Sequence, residues 1–305
     1  MRRIHRFHTA ALATATALSV ALLSACTIGD VSGNNEAETA SQGTEEESVP
    51  QPTLPESAPA PAPATTEELP VIEATDPQEA LESIAADNPG TGIAVAGGGG
   101  VFAAGMTDPV AAWSTAKVPL AIAAERAGVA EDNTVTQAIT YSDNAAADSL
   151  WEALGGGQDA ARATQAVIGA VTVPATPPRE GFSSFGQTQW SVAQQAKFVS
   201  SLGCMDGAEP VLAAMGQPDP AQNYGLGSLE GAVKKGGWGP ATDGSYEARQ
   251  MGLVTLGGHT VAVALYASAD SGDYGDAQQM LTRLATQLES AEVEWPAAGC
   301  QQGAV

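Results

Sequence analysis

A hydroxyl and an amine stand three residues apart in Ser114-Thr115-Ala116-Lys117, just ahead of the apolar run Val118-Pro119-Leu120-Ala121-Ile122-Ala123-Ala124. On a helix that spacing puts both side chains on one face, about one turn apart. A lysine in apolar surroundings loses its charge readily, and a neutral amine can take the proton of a neighbouring serine and make it a nucleophile. Pro119 is tolerated in a first turn but not in a helix interior, so the helix is expected to begin near Ser114, with the hydroxyl by the positive end of the dipole. The plainer alternative is a serine cap and a solvated lysine.

A second hydroxyl lies in Tyr141-Ser142-Asp143-Asn144, at the head of an Ala-rich stretch. As chemistry, Ser142 is a proton relay near Lys117 and Asn144 an amide that bonds a substrate; as structure, Ser142 or Asp143 is a helix cap. The third candidate is Lys234-Lys235-Gly236-Gly237-Trp238. A lysine on a strand followed by glycines sets positive charge beside backbone that a ligand can approach closely. Lysines also protect exposed edge strands. Lysine is scarce here, however: Lys117, Lys197, Lys234 and Lys235 are the only four.

The elements that must position these residues are readable in outline. Order is expected to begin at Asp76-Pro77, a cap and first helical position, with Ala80-Leu81-Ile84-Ala85 at helical spacing and Asn88-Pro89-Gly90 as the stop. Gly92 to Ala96 and Val101 to Gly105 read as strands joined by a glycine turn. A long Ala-rich helical middle, roughly 115 to 215, follows. Strand character returns at 232–238, 246–256 and 259–268, the last with Val261, Val263 and Leu265 alternating. Residues 273–292 close as an amphipathic helix. Strands from both ends can then form one antiparallel five-stranded sheet, flanked by helices, with an all-α insertion between its second and third strands. The fold class is α/β.

S-x-x-K on a helix, S-D-N at a helix entry and K-x-G on a late strand, in this order, resemble the serine β-lactamase and penicillin-binding protein (D,D-peptidase) superfamily. The resemblance spans roughly Asp76 to Glu292. It implies Ser114 as the acylated nucleophile, Lys117 as its base, Ser142 as proton relay, Asn144 as substrate-amide partner and Lys235 as partner of the substrate carboxylate. The N–H groups of Ser114 and Trp238 would form the oxyanion hole, with Gly236 and Gly237 completing the strand; Lys234-Lys235-Gly236 is the other register. Thr188-Gln189-Trp190-Ser191 is similar to the helix entry after the omega loop of class A enzymes, and is equally a plain cap. Arg249, on the next strand, is a possible anion partner or a surface arginine.

The sequence also departs from the family. The K-x-G has Gly236 where Ser or Thr is usual, and the interval between Ser114 and Ser142 is short for class A. No E-x-x-L-N segment is present, and Glu180 is the one carboxylate expected near the omega-loop position. Without such a base, hydrolysis of an acyl-enzyme should be slow. Two functions stay open: a serine hydrolase acting on peptidoglycan stem peptides or β-lactams, and a catalytically decayed binding lipoprotein of the same fold.

The rest of the chain places the domain and excludes other classes. Arg2, Arg3 and Arg6 precede an apolar stretch ending in Leu23-Ser24-Ala25-Cys26, which resembles a bacterial lipobox. Residues 1–25 are expected to be a lipoprotein signal peptide, with Cys26 lipidated and anchoring an exported protein at the outer face of the cytoplasmic membrane. Residues 26–75 read as an acidic Pro/Glu-rich tether. Ten acidic and no basic residues lie between Asp30 and Glu73, a concentrated part of a net charge of −23. Residues 76–305 form the domain. In an exported chain Cys204 and Cys300 are expected to pair; closing so long a loop is worth at most ~4.7 kcal/mol. Nucleic acid is excluded as a partner by charge. His259 is the only histidine outside the signal segment, which leaves no Ser-His-Asp triad and no metal cluster. No cofactor is expected.

Overall fold

The computed structural model describes residues 76–98, 100–131 and 133–300. The signal, tether and Cys26 expectations fall outside the described residues.

Asp76 accepts hydrogen bonds from the N–H groups of Gln78 (2.9 Å) and Glu79 (3.0 Å) and starts α1 (Pro77–Asp87) where expected. The chain then runs through β1 (Thr91–Gly97) and β2 (Gly100–Gly105), and returns after the insertion as β5 (Val233–Pro240), β6 (Tyr246–Leu256) and β7 (His259–Ser268). These five strands form one antiparallel sheet in the order β2-β1-β7-β6-β5, so strands from both ends of the chain meet at the β1–β7 pair. The last helix, α8 (Tyr274–Ser290), is capped by Asp273.

Alternation on the central strands builds two different layers. Ile93, Val95, Val263 and Leu265 face α1 and α8, packing with Leu81, Ile84, Leu281, Leu284 and Leu288. Each such side chain, fully buried, contributes roughly 1.5–3 kcal/mol. Between them on the same strands, Ala94, Ala96, Ala262 and Ala264 face the other way, into the core of the insertion. Their small side chains let α6 (Val192–Ser200) lie close to the sheet through Ala196 and Val199.

The insertion carries α2 (Lys117–Ala127), α3 (Thr134–Thr140), α4 (Asn144–Ala153), α5 (Gly157–Ile168), α6 and α7 (Glu209–Met215). Every residue of α2 from Lys117 to Ala124 is buried, as befits a helix that is apolar on all sides. One expectation needs correcting. The insertion is not all α: β3 (Val110–Ala111) and β4 (Gln189–Trp190) pair as a short antiparallel ribbon. Two-residue strands carry no readable alternation, and this ribbon is fixed by tertiary contacts described below. Cys204 and Cys300 form a disulfide with Cα atoms 5.6 Å apart, tying the end of the domain to the turn after α6 across a separation of 96 residues.

Candidate active site

Ser114 sits on a 3₁₀ turn, Trp113–Ala116, and α2 proper begins at Lys117. The helix therefore starts one turn later than expected, but the spacing argument survives, because side chains three apart eclipse on a 3₁₀ turn. Trp113 enters the turn with φ +50°, a left-handed conformation uncommon for a bulky residue. Its indole donates to Glu247 Oε1 (2.8 Å), and its ring stands edge-on to Phe182, 5.5 Å between centroids. Tyr266 holds the other oxygen of Glu247 at 2.7 Å. The backbone before Ser114 is thus fixed by buried bonds from β6 and β7.

Strand β5 backs onto this turn. A Cβ on Gly237 would lie 2.8 Å from Ser114 N and 2.9 Å from Thr115 N, and one on Gly239 would lie 2.4 Å from the Trp113 ring. Only glycine permits so close an approach at these two positions.

Four polar groups converge beside Ser114. Lys117 Nζ donates to Ser142 O (2.5 Å), Asn144 Oδ1 (2.8 Å) and Asp143 O (3.2 Å), and lies 3.5 Å from Ser142 Oγ. Lys235 Nζ donates to Ser142 Oγ (2.8 Å) and Gly236 O (2.9 Å). Ser142 has φ +58°, which turns its carbonyl to one lysine and its hydroxyl to both. Asp143, not Ser142, caps α4 through Ala146 N (2.7 Å). Among the described residues no hydrogen bond engages the Ser114 hydroxyl or the Asn144 amide nitrogen.

Strand alternation sends the two lysines to opposite sides. Lys235 reaches Ser142, while Lys234 points to the opposite side and donates to Gln222 O at 2.7 Å. The Lys235-Gly236-Gly237 reading is the one the geometry favours.

Electrostatically the site is a group of buried cations without carboxylate partners. Lys117, Lys234 and Lys235 are all buried, and the one ion pair among the described residues is Arg162–Asp159 on the surface. Burial lowers Lys117 to about 8, opposed by the charges of Asp143 and Asp148. Burial also lowers Lys234 to about 8. Lys235 lies well below the ordinary lysine range, first through burial and then through the charges of Lys117 and Lys234. Burial of this kind favours the neutral form of an amine over its charged form.

Of these lysines only Lys117 opens on the cavity of about 560 Å³ that is lined by Ser114, Lys117, Ser142, Asn144, Asp148 and Trp238 and walled by the 181–187 loop and Tyr246. Trp238 stacks on Tyr274, 5.5 Å between centroids. Trp190, by contrast, is wholly buried against Phe198. Arg179 donates to Pro240 O (2.7 Å) and lies over the Phe182 ring, pinning the loop to β5. Ser191 caps α6 in a full capping box with Gln194, whereas Thr188 is a buried residue of the ribbon approach.

One expected site residue lies elsewhere. Arg249 is no anion partner: it is fully buried, and its guanidinium donates to Ala111 O (2.8 Å), Val110 O (3.2 Å), Trp190 O (2.7 Å) and Gln195 Oε1 (2.7 and 3.2 Å). It has no donor left for a substrate, and it clamps the β3–β4 ribbon to the main sheet. Glu180 is exposed and does not line the cavity. The carboxylate that does is Asp148, which the motifs do not include. Its signal was available, since it lies four positions after Asn144 on the same helix.

No protein-family model matches the chain, and no curated protein matches it. Solved structures do. A class A β-lactamase from Bacteroides cellulosilyticus superposes with a TM-score of 0.59 at 14% identity, covering 71% of this chain and 98% of that one. The TLA-1 extended-spectrum β-lactamase gives 0.58 at 14% identity, with 71% and 99% covered. A β-lactamase from Chitinophaga pinensis gives 0.56 at 15% identity, with 68% and 96% covered. At these identities the likeness is one of fold: the domain has the serine-hydrolase-like fold of class A β-lactamases.

Proposed function

We propose that this chain is a penicillin-recognising serine acyl-transfer enzyme, forming an acyl-enzyme through Ser114 on D-Ala-D-Ala-like peptides or β-lactams. The observation that carries this reading is that Ser114, Lys117 and Ser142 line one cavity, with Lys235 bonded to the Ser142 hydroxyl from behind it and neither lysine paired to a carboxylate.

As an ammonium, Lys117 spends its three donors on Ser142 O, Asp143 O and Asn144 Oδ1. Deprotonation leaves two donors and a lone pair, which takes the proton of Ser114 as Oγ bonds to the substrate carbonyl carbon. Charge then grows on the carbonyl oxygen, where the N–H groups of Ser114 and Trp238 are the donors. β5 is the edge strand of the sheet, and Gly236 O, bonded to Lys235, points away from it. Two residues on, the Trp238 N–H points the same way. When the tetrahedral intermediate collapses, the C–N bond breaks and its nitrogen receives the proton from Lys117 through Ser142 Oγ. Asn144 offers its free amide nitrogen to a substrate carbonyl, and Lys235 attracts the substrate carboxylate.

The test is intact mass of the full-length chain in detergent after exposure to a penicillin. An adduct of the penicillin's mass on wild type, absent on Ser114→Ala, supports the reading. No adduct with several β-lactams or an acyl-D-Ala-D-Ala thioester overturns it. That outcome selects the alternative, a decayed binding lipoprotein, which one observation favours: the Lys117 amine is bonded to the 142–144 segment and not to Ser114. Lipidation of Cys26, and with it a place at the outer face of the cytoplasmic membrane, belongs to the same proposal. Palmitate labelling that disappears in Cys26→Ser is the expected result.

A further inference from the structure

We infer that Asp148 is the general base that hydrolyses the acyl-enzyme, supplied by α4 in place of the missing omega-loop glutamate. This inference rests on the acyl-enzyme reading above.

Among the described residues Asp148 is the only carboxylate lining the cavity that holds Ser114 and Lys117. It stands one helical turn after Asn144, so the helix aims both side chains from one face toward the same space. No hydrogen bond or ion pair occupies it among the described residues. The neighbouring carboxylates are otherwise committed: Asp143 caps α4, and Glu152, a further turn along, lies outside the cavity against Gly156. A free carboxylate facing a polar cavity beside a nucleophile has the placement of a base for water.

Its surroundings tune it in the same direction. Partial burial raises its pKa, helped by the charges of Glu152 on α4 and Asp143 at its cap, while Lys117 on α2 opposes the rise. A carboxylate raised in this way is a stronger base for water than a solvated one. Its negative charge in turn favours the protonated form of Lys117.

The chemistry balances without a further reactant. Asp148 takes one proton from a water as the water oxygen bonds to the acyl carbonyl carbon. The tetrahedral intermediate collapses, the bond from carbon to Ser114 Oγ breaks, and the proton returns to Oγ. A free acid leaves, and both side chains are as they began. With this base the domain is a hydrolase; without it, the acyl-enzyme accumulates.

The experiment follows the penicilloyl adduct over time by intact mass, on the full-length chain in detergent. Wild type is expected to form an adduct that decays, with hydrolysed penicillin appearing in step. Asp148→Asn should acylate at a similar rate and lose the adduct about 100-fold more slowly or worse. Asp148→Glu should recover part of the decay, and Glu152→Gln should decay like wild type. In wild type the decay rate should rise with pH along a single carboxylate titration, which Asp148→Asn abolishes. A persistent adduct on wild type, or equal decay in wild type and Asp148→Asn, overturns the inference and leaves the acyl-enzyme reading standing. No adduct on any of the four proteins overturns both.

Discussion

Two sets of buried cations lie within the same domain, and they behave as opposites. Arg249 is fully buried, and all five of its donors meet acceptors: three backbone carbonyls and the Gln195 amide oxygen. Glu247 and Tyr266 add favourable charge against the cost of burial. Lys117, Lys234 and Lys235 are nearly as buried, yet no carboxylate pairs with any of them, and each lies below its ordinary pKa. Burial does not separate structural from chemical groups here. What separates them is how far burial lowers the pKa: Arg249, lowered to about 10, keeps its charge and holds a ribbon in place, while Lys117 and Lys234, lowered to about 8, and Lys235, well below the ordinary range, give up protons more readily.

Removing the amine that does chemistry should have the largest effect. Lys117→Ala is expected to slow acylation of Ser114 by about 1,000-fold, the scale of a lost general base, with the thermal midpoint unchanged or raised. Stopped-flow with a chromogenic cephalosporin measures it. The acylation rate of wild type should rise with pH and level off above about 8, as Lys117 becomes neutral. A flat profile would place the activating proton transfer on some other group.

The comparison predicts the reverse pattern at Arg249. Arg249→Met should cost about 3–5 kcal/mol, because it leaves buried carbonyls of Val110, Ala111 and Trp190 without donors. Urea unfolding reads the loss, and acylation of the fraction that stays folded should be near normal. A stable Arg249→Met that fails to acylate would break the distinction.

Lys234 sharpens it from the other side. It is buried, it is bonded only to Gln222 O, and the proposed chemistry does not use it. Lys234→Met should stabilise the fold by about 1–3 kcal/mol at pH 7. The sign follows from its depressed folded pKa of about 8 against the ordinary 10.5. Below about 8 the wild-type lysine is charged in both states and its burial cost is complete. Between about 8 and 10.5 the folded state sheds its proton first, and wild type gains stability as pH rises. The advantage of the methionine variant should therefore shrink across that window.

What could be read from the sequence follows the same division. Ser114, Lys117, Ser142, Asn144 and Lys235 were legible because each sits in a local pattern at a helix entry or on a strand, and the five-stranded sheet because its alternation is strong. Arg249 was not, since a buried arginine looks like any other until the ribbon beneath it is known. The ribbon itself has two residues a side, too few for a period. The left-handed Trp113, which delays α2 by a turn, depends on Glu247, 134 residues away. Asp148 stands four positions after Asn144, but no motif marks it, and spacing alone does not separate it from a solvated helix acid.

The smallest effect concerns the pair Gly236 and Gly237, adjacent glycines with different reasons to be glycine. A Cβ on Gly237 would meet backbone nitrogens of Ser114 and Thr115 inside 3 Å, contacts that only movement of the nucleophile turn can relieve. A Cβ on Gly236 would meet Tyr224, Gln222 and Gln250 at 3.6–3.8 Å, ordinary van der Waals distances, and all three are side chains. Nothing in the packing around that Cβ position demands glycine at 236. Glycine inside a strand loses backbone entropy and gives its neighbours nothing to pack against. Gly236→Thr should therefore stabilise the domain by about 0.5–1 kcal/mol, read as a rise in thermal midpoint with acylation of Ser114 retained. A fall in stability would mean that the strand at 236 is held open for a ligand's approach, and would move Gly236 from the structural to the chemical side of the comparison.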